Sequence, residues 1–433
     1  RKENLKDKSC QAYELKFIYM NRFKSFVQVS GLLLMSWILF SSCSEKKEQE
    51  HYVVVLSMDG FRSDYPQRAH TPILDSLARV GVKAAFRPCY PSVTFPNHYS
   101  MATGLHPDHH GLVHNTFWAT DLDSSVYKIS DRKAVENPAY YGGEPIWNTA
   151  ERQGVRTATY FWVGSETAVG GKQPSIWKKF DSKVPFMDRA DSVIAWLKKP
   201  EKERPHLIMW YMEEPDHSGH VYSPDSSAVV PVIEDLDRVL AHFFNQARQL
   251  DIFNQIDFII VSDHGMATYK PENYVNLGDY LPRDSFEMVV EGVPTLLYPR
   301  ASYTEKAYEI LKKVPNVTVW KKGEVPAQFV YGTNPRISDL IVAPNIGTMV
   351  HFRSKEEASP ALGGAHGYDN FQPEMEAIFY AAGPSFKQGI EAPAMANVNL
   401  YGLIAHLLQI EPAPNDGDLS VVLPLLRESN EQK

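Results

Sequence analysis

Three segments of this 433-residue chain are continuous apolar runs, and each stops at an acid. Tyr52 to Met58 reads YVVVLSM and leads into Asp59 and Gly60. His206 to Met212 reads HLIMWYM and leads into Glu213-Glu214-Pro215-Asp216. Phe258 to Val261 leads into Ser262, Asp263 and His264. Unbroken apolar strands are buried on both faces, as in a parallel sheet covered by helices. The stretches between them supply the helices. Residues 70–80 (HTPILDSLARV) place Pro72 in a first turn. Ser226 to Leu250 repeats Val229, Ile233, Leu236, Leu240, Phe243 and Ala247 at helical spacing. A further apolar run at Ala377–Ala382 and a helix at Asn399–Ile410 complete the pattern. Strand, helix, strand in this order predicts an α/β fold with a mostly parallel central sheet flanked by helices. Ligands of such sheets bind outside the carboxyl ends of the strands, which is where the acids fall.

One acid after a strand is a turn residue or a helix cap. Three at one edge are a site. Buried carboxylates sharing a space raise one another's pKa unless a cation holds them. Carboxylate with imidazole is the ligand set of zinc or a similar divalent metal. His220 follows Asp216 in DHSGH, which Gly219 and Pro224 mark as a ligand-bearing loop. In PSVTFPNHYSMATG (91–104), a short helix is predicted to begin at Pro96, with Thr94 just ahead of it. A helix N-terminus seats a phosphoryl group, although on local preference alone Thr94 is an N-cap. GAHGYDN (364–370) holds His366 between glycines in a loop and says nothing by itself.

Taken in order, SMDGFRSDY, YPSVTFPNHYSMATGLHPDHHGLVHN, GGEPIWNTA, EEPDHSGH, SDHGM and GAHGYDN, with a late PAPNDG, resemble a known family. It is the nucleotide pyrophosphatase/phosphodiesterase family of the alkaline phosphatase superfamily, and the likeness runs from residue 52 to residue 420. TFPNHYS, SDHGM and AHGYDN carry most of it. The resemblance implies two zinc ions (Zn2+) per chain. Asp59, Thr94, Asp263 and His264 would surround one, and Asp216, His220 and His366 the other. It implies Thr94 as a nucleophile that forms a covalent phosphoryl intermediate, with zinc favouring the alkoxide and steadying the leaving oxygen. Asn115 and the Thr94 amide would hold a non-bridging phosphate oxygen. The implied substrate is a small-molecule nucleotide or other phosphodiester. Phe95 and, in KKFDSKVPF, Phe180 would sandwich its base. The alternative place for Phe180 is the core. Lys128 and Lys133 are candidates for the sugar or distal phosphates, or plain surface lysines.

HPDHHGLVHN, with His106, His109, His110 and His114, looks more like a metal site than these scattered ligands do. The seven implied ligands already complete two sites, so these histidines are read as solvated or supporting, as are His98 and His217. Glu213 and Glu214 are candidates for orienting their neighbours, the plainer reading being a polar strand end.

From residue 43 onward 37 Lys/Arg face 49 Asp/Glu, a balance of −12, which argues against a nucleic-acid groove. The chain has three cysteines, and Cys89 stands alone in the body, so neither a disulfide framework nor a cysteine zinc site can be built. From Met20 the chain shows a basic n-region, an apolar h-region from Val27 to Phe40, and a small-residue exit at Cys43. This resembles a bacterial lipoprotein signal; a plain secretory signal is the alternative. Residues 1–42 are then an upstream extension and signal peptide, and 43–51 a tether. Residues 52–425 form the phosphodiesterase domain, with a cap sub-domain inserted at 275–362. On this reading the Cys-rich and nuclease-like domains of the large animal members are not expected. The protein would be exported to the periplasm or cell envelope of a bacterium and touch membrane only through a lipid anchor at Cys43. Oligomeric state has no signature in the sequence.

Two other functions compete. A choline-phosphodiester or glycerophosphodiester phosphodiesterase would use Phe95 and Phe180 as an aromatic cage. A non-catalytic surface binding lipoprotein would not need an intact ligand set. A phosphomonoesterase would need an extra arginine or metal for the added phosphate charge, and neither is found.

Overall fold

The structure, a computed structural model, describes residues 51–358 and 361–428. The signal segment, Cys43 and all of the tether but His51 lie outside the described residues. Eight strands form the central sheet: β1 (Tyr52–Met58), β2 (Val82–Arg87), β3 (Thr157–Tyr160), β4 (Ile176–Lys178), β5 (Leu207–Met212), β6 (Ile256–Val261), β7 (Ala377–Ala382) and β8 (Ile390–Ala396). Their spatial order is β8-β2-β7-β6-β1-β5-β3-β4. Only β7 runs against its neighbours; the remaining adjacent pairs are parallel.

The strands are apolar throughout because both faces are covered. Val53, Val55, Met209 and Ile259 pack on one side with α2 (Thr94–Thr103) and α6 (Asn399–Leu407). Val54, Leu56, Trp210 and Ile260 pack on the other with α1 (Pro72–Val80), α3 (Phe186–Leu197) and α5 (Val230–Ala247). Each such side chain contributes about 1.5–3 kcal/mol on burial, enough to override local turn preferences at the strand ends.

Two helix boundaries differ from expectation. α5 begins at Val230, where Pro231 takes a first-turn position, after a short 3-10 turn at Ser227–Val229. α2 begins at Thr94 rather than Pro96, with Val93 as its N-cap. The first four N–H groups of a helix have no intrahelical partner, so Pro96 loses nothing at the third position. Thr94 is therefore a first-turn residue and not the cap.

After β6 the chain forms a short strand, Ala267–Tyr269, then leaves the central sheet. It builds a four-stranded antiparallel sheet from Phe286–Val290, Thr295–Pro299, Leu340–Pro344 and Val317–Lys321, in that spatial order. The helix Thr304–Leu311 packs on it through Ala307 and Leu311. Met349–His351 pairs with Tyr274–Asn276 and not with the four-stranded sheet. The chain returns as Gly363–Ala365, antiparallel to Ala267–Tyr269. The excursion thus starts and ends on neighbouring strands, which brings His366 back beside His264. Among the described residues no helix is long and apolar enough to cross a membrane.

Candidate active site

β6, β1 and β5 lie side by side, with Ser57 opposite Val261 and Met58 opposite Met212. Their carboxyl ends therefore bring Asp263, Asp59 and the turn before Asp216 to one point on the rim. Backbone bonds fix the arrangement. The Asp59 N–H donates to Met212 O at 2.9 Å, and the Asp216 N–H to Asp59 O at 3.0 Å. The Gly60 N–H donates to Asp263 Oδ1 at 3.1 Å.

The expected DHSGH loop is instead a helix, α4 (Asp216–Tyr222). Gly219 costs about 1 kcal/mol there, but its N–H still bonds Pro215 O at 2.8 Å, and Pro224 falls beyond the helix end. Helical spacing sets Asp216 and His220 on one face. The carbonyls of α4 press on the returning strand: a Cβ at Gly364 would lie 2.4 Å from Gly219 O. Only glycine allows that approach, and Gly364 O in turn accepts from His220 Nδ1 at 2.8 Å. The next residues carry His366, whose Nδ1 donates to Ser92 O at 2.9 Å. Gly367 follows with φ +104°, and a Cβ there would sit 1.8 Å from Val293 O of the excursion.

Two clusters result. His220 Nε2 and His366 Nε2 lie 3.4 and 3.5 Å from Asp216 Oδ1 and 3.1 Å from each other. His264 Nε2 lies 3.5 Å from Asp59 Oδ1, 3.1 Å from Asp263 Oδ2 and 3.3 Å from Thr94 Oγ1. The His264 and His366 rings stack at 3.7 Å between the clusters.

The electrostatics make the rim costly without a cation. Burial, then the charges of Asp263 and Asp216, push the Asp59 carboxyl well up. Burial also raises Asp216, against the opposing pull of His220 and His264. Burial works against ionised Asp263 too, but His264 and His98 outweigh it and hold its carboxyl below the usual range. Burial, with His264 and His220 nearby, keeps His366 neutral, the form that ligates metal. Asp59 Oδ1, Asp216 Oδ1 and Asp263 Oδ2 are buried and accept no hydrogen bond. Tetrahedral zinc with bonds of 2.0–2.1 Å sets neighbouring ligand atoms about 3.3 Å apart, the spacing within the Asp216, His220 and His366 cluster. Oxygen and imidazole donors of this kind could hold a divalent metal, with Asp216, His220 and His366 forming one compact group and Asp59, Asp216 and His264 another.

Around Thr94 the other predicted residues take definite places. Asn115 Oδ1 accepts the Phe95 N–H at 2.9 Å, which leaves the Asn115 amide NH2 to donate. Phe95 is half-buried at the start of α2. Phe180 is 37 % exposed rather than in the core, its ring 6.4 Å from that of Tyr211. Lys128 and Lys133 are exposed.

Three further residues support the rim, of which only Tyr211 has no place in the sequence reading. Tyr211, inside the strand HLIMWYM, donates its hydroxyl to Asp59 Oδ2 at 2.6 Å. His98, read as solvated or supporting, is fully buried, with Nδ1 3.0 Å from Thr94 O and 3.3 Å from Asp263 Oδ2. Its Nε2 accepts from Ser57 Oγ at 2.8 Å, so both ring nitrogens are engaged. The helical i,i+4 step from Thr94 to His98 was the available signal. Of the two readings of Glu213, the structure favours the orienting one: it clasps the fully buried Arg189 guanidinium at 2.5 and 2.9 Å. Of the other histidines, His110 is buried against Ser100 Oγ at 3.0 Å, and His109 pairs with Asp416 at 2.6 Å. Neither joins a metal-ligand group among the described residues.

A family model described as type I phosphodiesterase/nucleotide pyrophosphatase matches residues 53–369. Venom phosphodiesterase CdcPDE of Crotalus durissus collilineatus is 34% identical over 380 residues, covering 84% of this chain and 45% of that protein. Bovine ectonucleotide pyrophosphatase/phosphodiesterase family member 3 is 35% identical, with 84% and 43% covered. The chain therefore spans less than half the length of these two relatives. Family member 7 of Rattus norvegicus is 31% identical over 419 residues, with 92% and 93% covered. The structure of human ectonucleotide pyrophosphatase/phosphodiesterase 5 superposes with a TM-score of 0.83 at 31% identity, over 87% of this chain and all of that one. An inactive threonine-to-alanine variant of the murine protein, solved in complex with AMP, gives the same TM-score at 29% identity. The family match begins inside β1 and ends just past His366, taking in every segment of the rim, and the chain belongs to the type I phosphodiesterase/nucleotide pyrophosphatase family.

Proposed function

We propose that this chain is a two-zinc phosphodiesterase that hydrolyses nucleotide phosphodiester or pyrophosphate bonds and releases a nucleoside 5′-monophosphate. The observation that carries the reading is the Thr94 hydroxyl, in the first turn of α2 and 3.3 Å from His264 Nε2, beside three carboxylate oxygens that accept no hydrogen bond. Asp59, Asp263 and His264 would hold one ion and Asp216, His220 and His366 the other. When bound, the pair supplies Lewis-acid stabilisation of the entering and leaving oxygens.

The chain's own groups do the rest. Thr94 Oγ1 attacks phosphorus and gives its proton to solvent, and the bond to the leaving oxygen breaks, that oxygen departing protonated from solvent. Water then attacks phosphorus, leaves its hydroxyl there and returns a proton to Thr94 Oγ1 as the threonine–phosphorus bond breaks. The Thr94 N–H at the start of α2 and the Asn115 NH2 are the donors for the phosphoryl oxygens where charge builds, since the Phe95 N–H is taken by Asn115 Oδ1 and Pro96 has none. His98 grips Thr94 O and so holds the nucleophile's backbone. Phe95 and Phe180 offer ring faces to a nucleobase. The AMP complex of the murine relative supports a nucleotide ligand, and the inactivity of its threonine variant supports a threonine nucleophile.

The test is Thr94→Ala, expected to fold, to keep its metal and to lose nearly all turnover of p-nitrophenyl thymidine 5′-monophosphate. An active Thr94→Ala protein would remove the nucleophile from the scheme. A clear preference for p-nitrophenylphosphocholine over the thymidine ester would replace the substrate class. We further propose export through a signal ending at Cys43; mass spectrometry finding no lipid on that cysteine would reject the anchor.

A further inference from the structure

We propose that Glu166 and Arg132 are positioning residues that fix the gap between the two aromatic walls of the base site. The inference rests on the reading that Phe95 and Phe180 flank a nucleobase. The two walls come from different parts of the fold. Phe95 is tied to Asn115 through its N–H, and its ring leans on Tyr127 at 6.5 Å. Tyr127 belongs to the hairpin Thr116–Ala119 with Ser125–Lys128, which runs on into the short helix Arg132–Val135.

Phe180 stands on an exposed turn after β4, the outermost strand on its side of the sheet. Its ring meets Phe161 edge-on at 5.2 Å, and nothing in the strand order lies beyond it. The turn is tied down by charge instead. Glu166 Oε1 accepts the Phe180 N–H at 3.0 Å, while Glu166 Oε2 takes the Arg132 guanidinium. Arg132 also reaches Glu136 Oε1 at 3.2 Å, and Lys179 reaches the same oxygen at 2.6 Å. The Glu166 side chain is only 7 % exposed, unusual for a glutamate on a surface turn. Two links, Arg132–Glu166 and Glu136–Lys179, therefore join the hairpin that supports Phe95 to the turn that carries Phe180. Loosening them frees one wall without touching phosphorus, Thr94 or the metal ligands.

The experiment measures kcat and KM of the metal-loaded enzyme for p-nitrophenyl thymidine 5′-monophosphate and for methyl p-nitrophenyl phosphate, which lacks a base. Glu166→Ala is expected to raise KM for the thymidine ester about 10-fold, a partial loss of base stacking, with a far smaller change in kcat. KM for the methyl ester should move less than about twofold. Arg132→Ala, at a half-exposed position safe for folding, should act in the same direction, and Arg132→Lys should restore most of the loss. In a Phe180→Ala background Glu166→Ala should add little, because it acts through that ring. Additive effects in the double variant, or equal KM increases for the two esters, would overturn the positioning role. If Phe180→Ala leaves KM for the thymidine ester unchanged, the base-stacking reading fails and takes this inference with it. If Phe180→Ala raises KM and Glu166→Ala does not, the inference alone falls.

Discussion

Tyr211→Phe isolates one hydrogen bond at the rim. The hydroxyl donates to Asp59 Oδ2 at 2.6 Å, while Asp59 Oδ1 accepts nothing and faces His264. Removing the oxygen keeps the ring, which packs on His98 at 5.0 Å and Phe180 at 6.4 Å, so the fold should hold. A hydrogen bond to a charged acceptor is worth about 1.5–3 kcal/mol, and loss of a partner that orients a metal ligand costs about 10–100-fold in affinity. The two ranges agree, since about 1.4 kcal/mol is a factor of ten. The variant should bind the ion beside Asp59 about 10–100-fold more weakly, with the ion at Asp216, His220 and His366 unaffected. The sign with pH follows from the same bond. Tyr211 opposes the burial and like charges that raise Asp59, so its loss lets protons compete better, and the deficit should grow as pH falls. Zinc titration of the stripped protein against a chromogenic chelator, at pH 6 and pH 8, measures both effects. Two affinities within twofold of the parent would refute the orienting role. So would a deficit that shrinks as pH falls.

Three further outcomes are expected. Burial pushes His110 down to about 3 and His114 to about 4, so each stays neutral in the fold and contributes stability that is lost as pH falls below its unfolded value of 6.5. At pH 5 the loss is up to about 2 kcal/mol each, and a His110→Gln/His114→Gln protein should show a flatter decline in urea unfolding between pH 7 and pH 5. Asp108 accepts the N–H groups of Gly332, Thr333 and Asn334 at 2.8–3.0 Å, and Asp108→Ala should lower stability by roughly 3 kcal/mol in the same assay. Chelation should lower the melting temperature, and by more at pH 8 than at pH 5. In the stripped protein the raised Asp59 carboxyl contributes stability below pH 3.8 that is lost as pH rises through its folded pKa, leaving an ionised cluster that only a cation relieves.

Four of the eight strands of the central sheet could be read from the chain because burial on both faces leaves an unbroken apolar signature, whereas Val82–Arg87 and Ile390–Ala396, partly exposed at one edge, carry no such run. β1 and β7 begin and end where their runs do, and β5 and β6 differ by one or two residues. The same property hides direction. Nothing in AIFYAA marks β7 as the reversed strand, since its pairing depends on β2 and β6, distant in sequence. DHSGH went wrong for the opposite reason. Its glycine and the proline beyond it are local breakers, and the packing of α4 on Gly363 and Gly364 outweighs them. Tyr211 was invisible because a tyrosine inside a buried strand looks like core until its hydroxyl finds Asp59. The bond between Glu166 and the Phe180 turn spans 14 residues with no periodic pattern to announce it.

The contact at Gly367 has a consequence for recombination. Since Val293 O occupies the space where any side chain at Gly367 would go, the excursion and the loop bearing His366 share one moulded surface. A chimaera that grafts residues 270–362 from a relative would import a foreign contour against that loop and shift a ligand that the graft never contained. The two pieces should therefore be inherited as a pair, and successful hybrids should be those whose crossover points fall outside both.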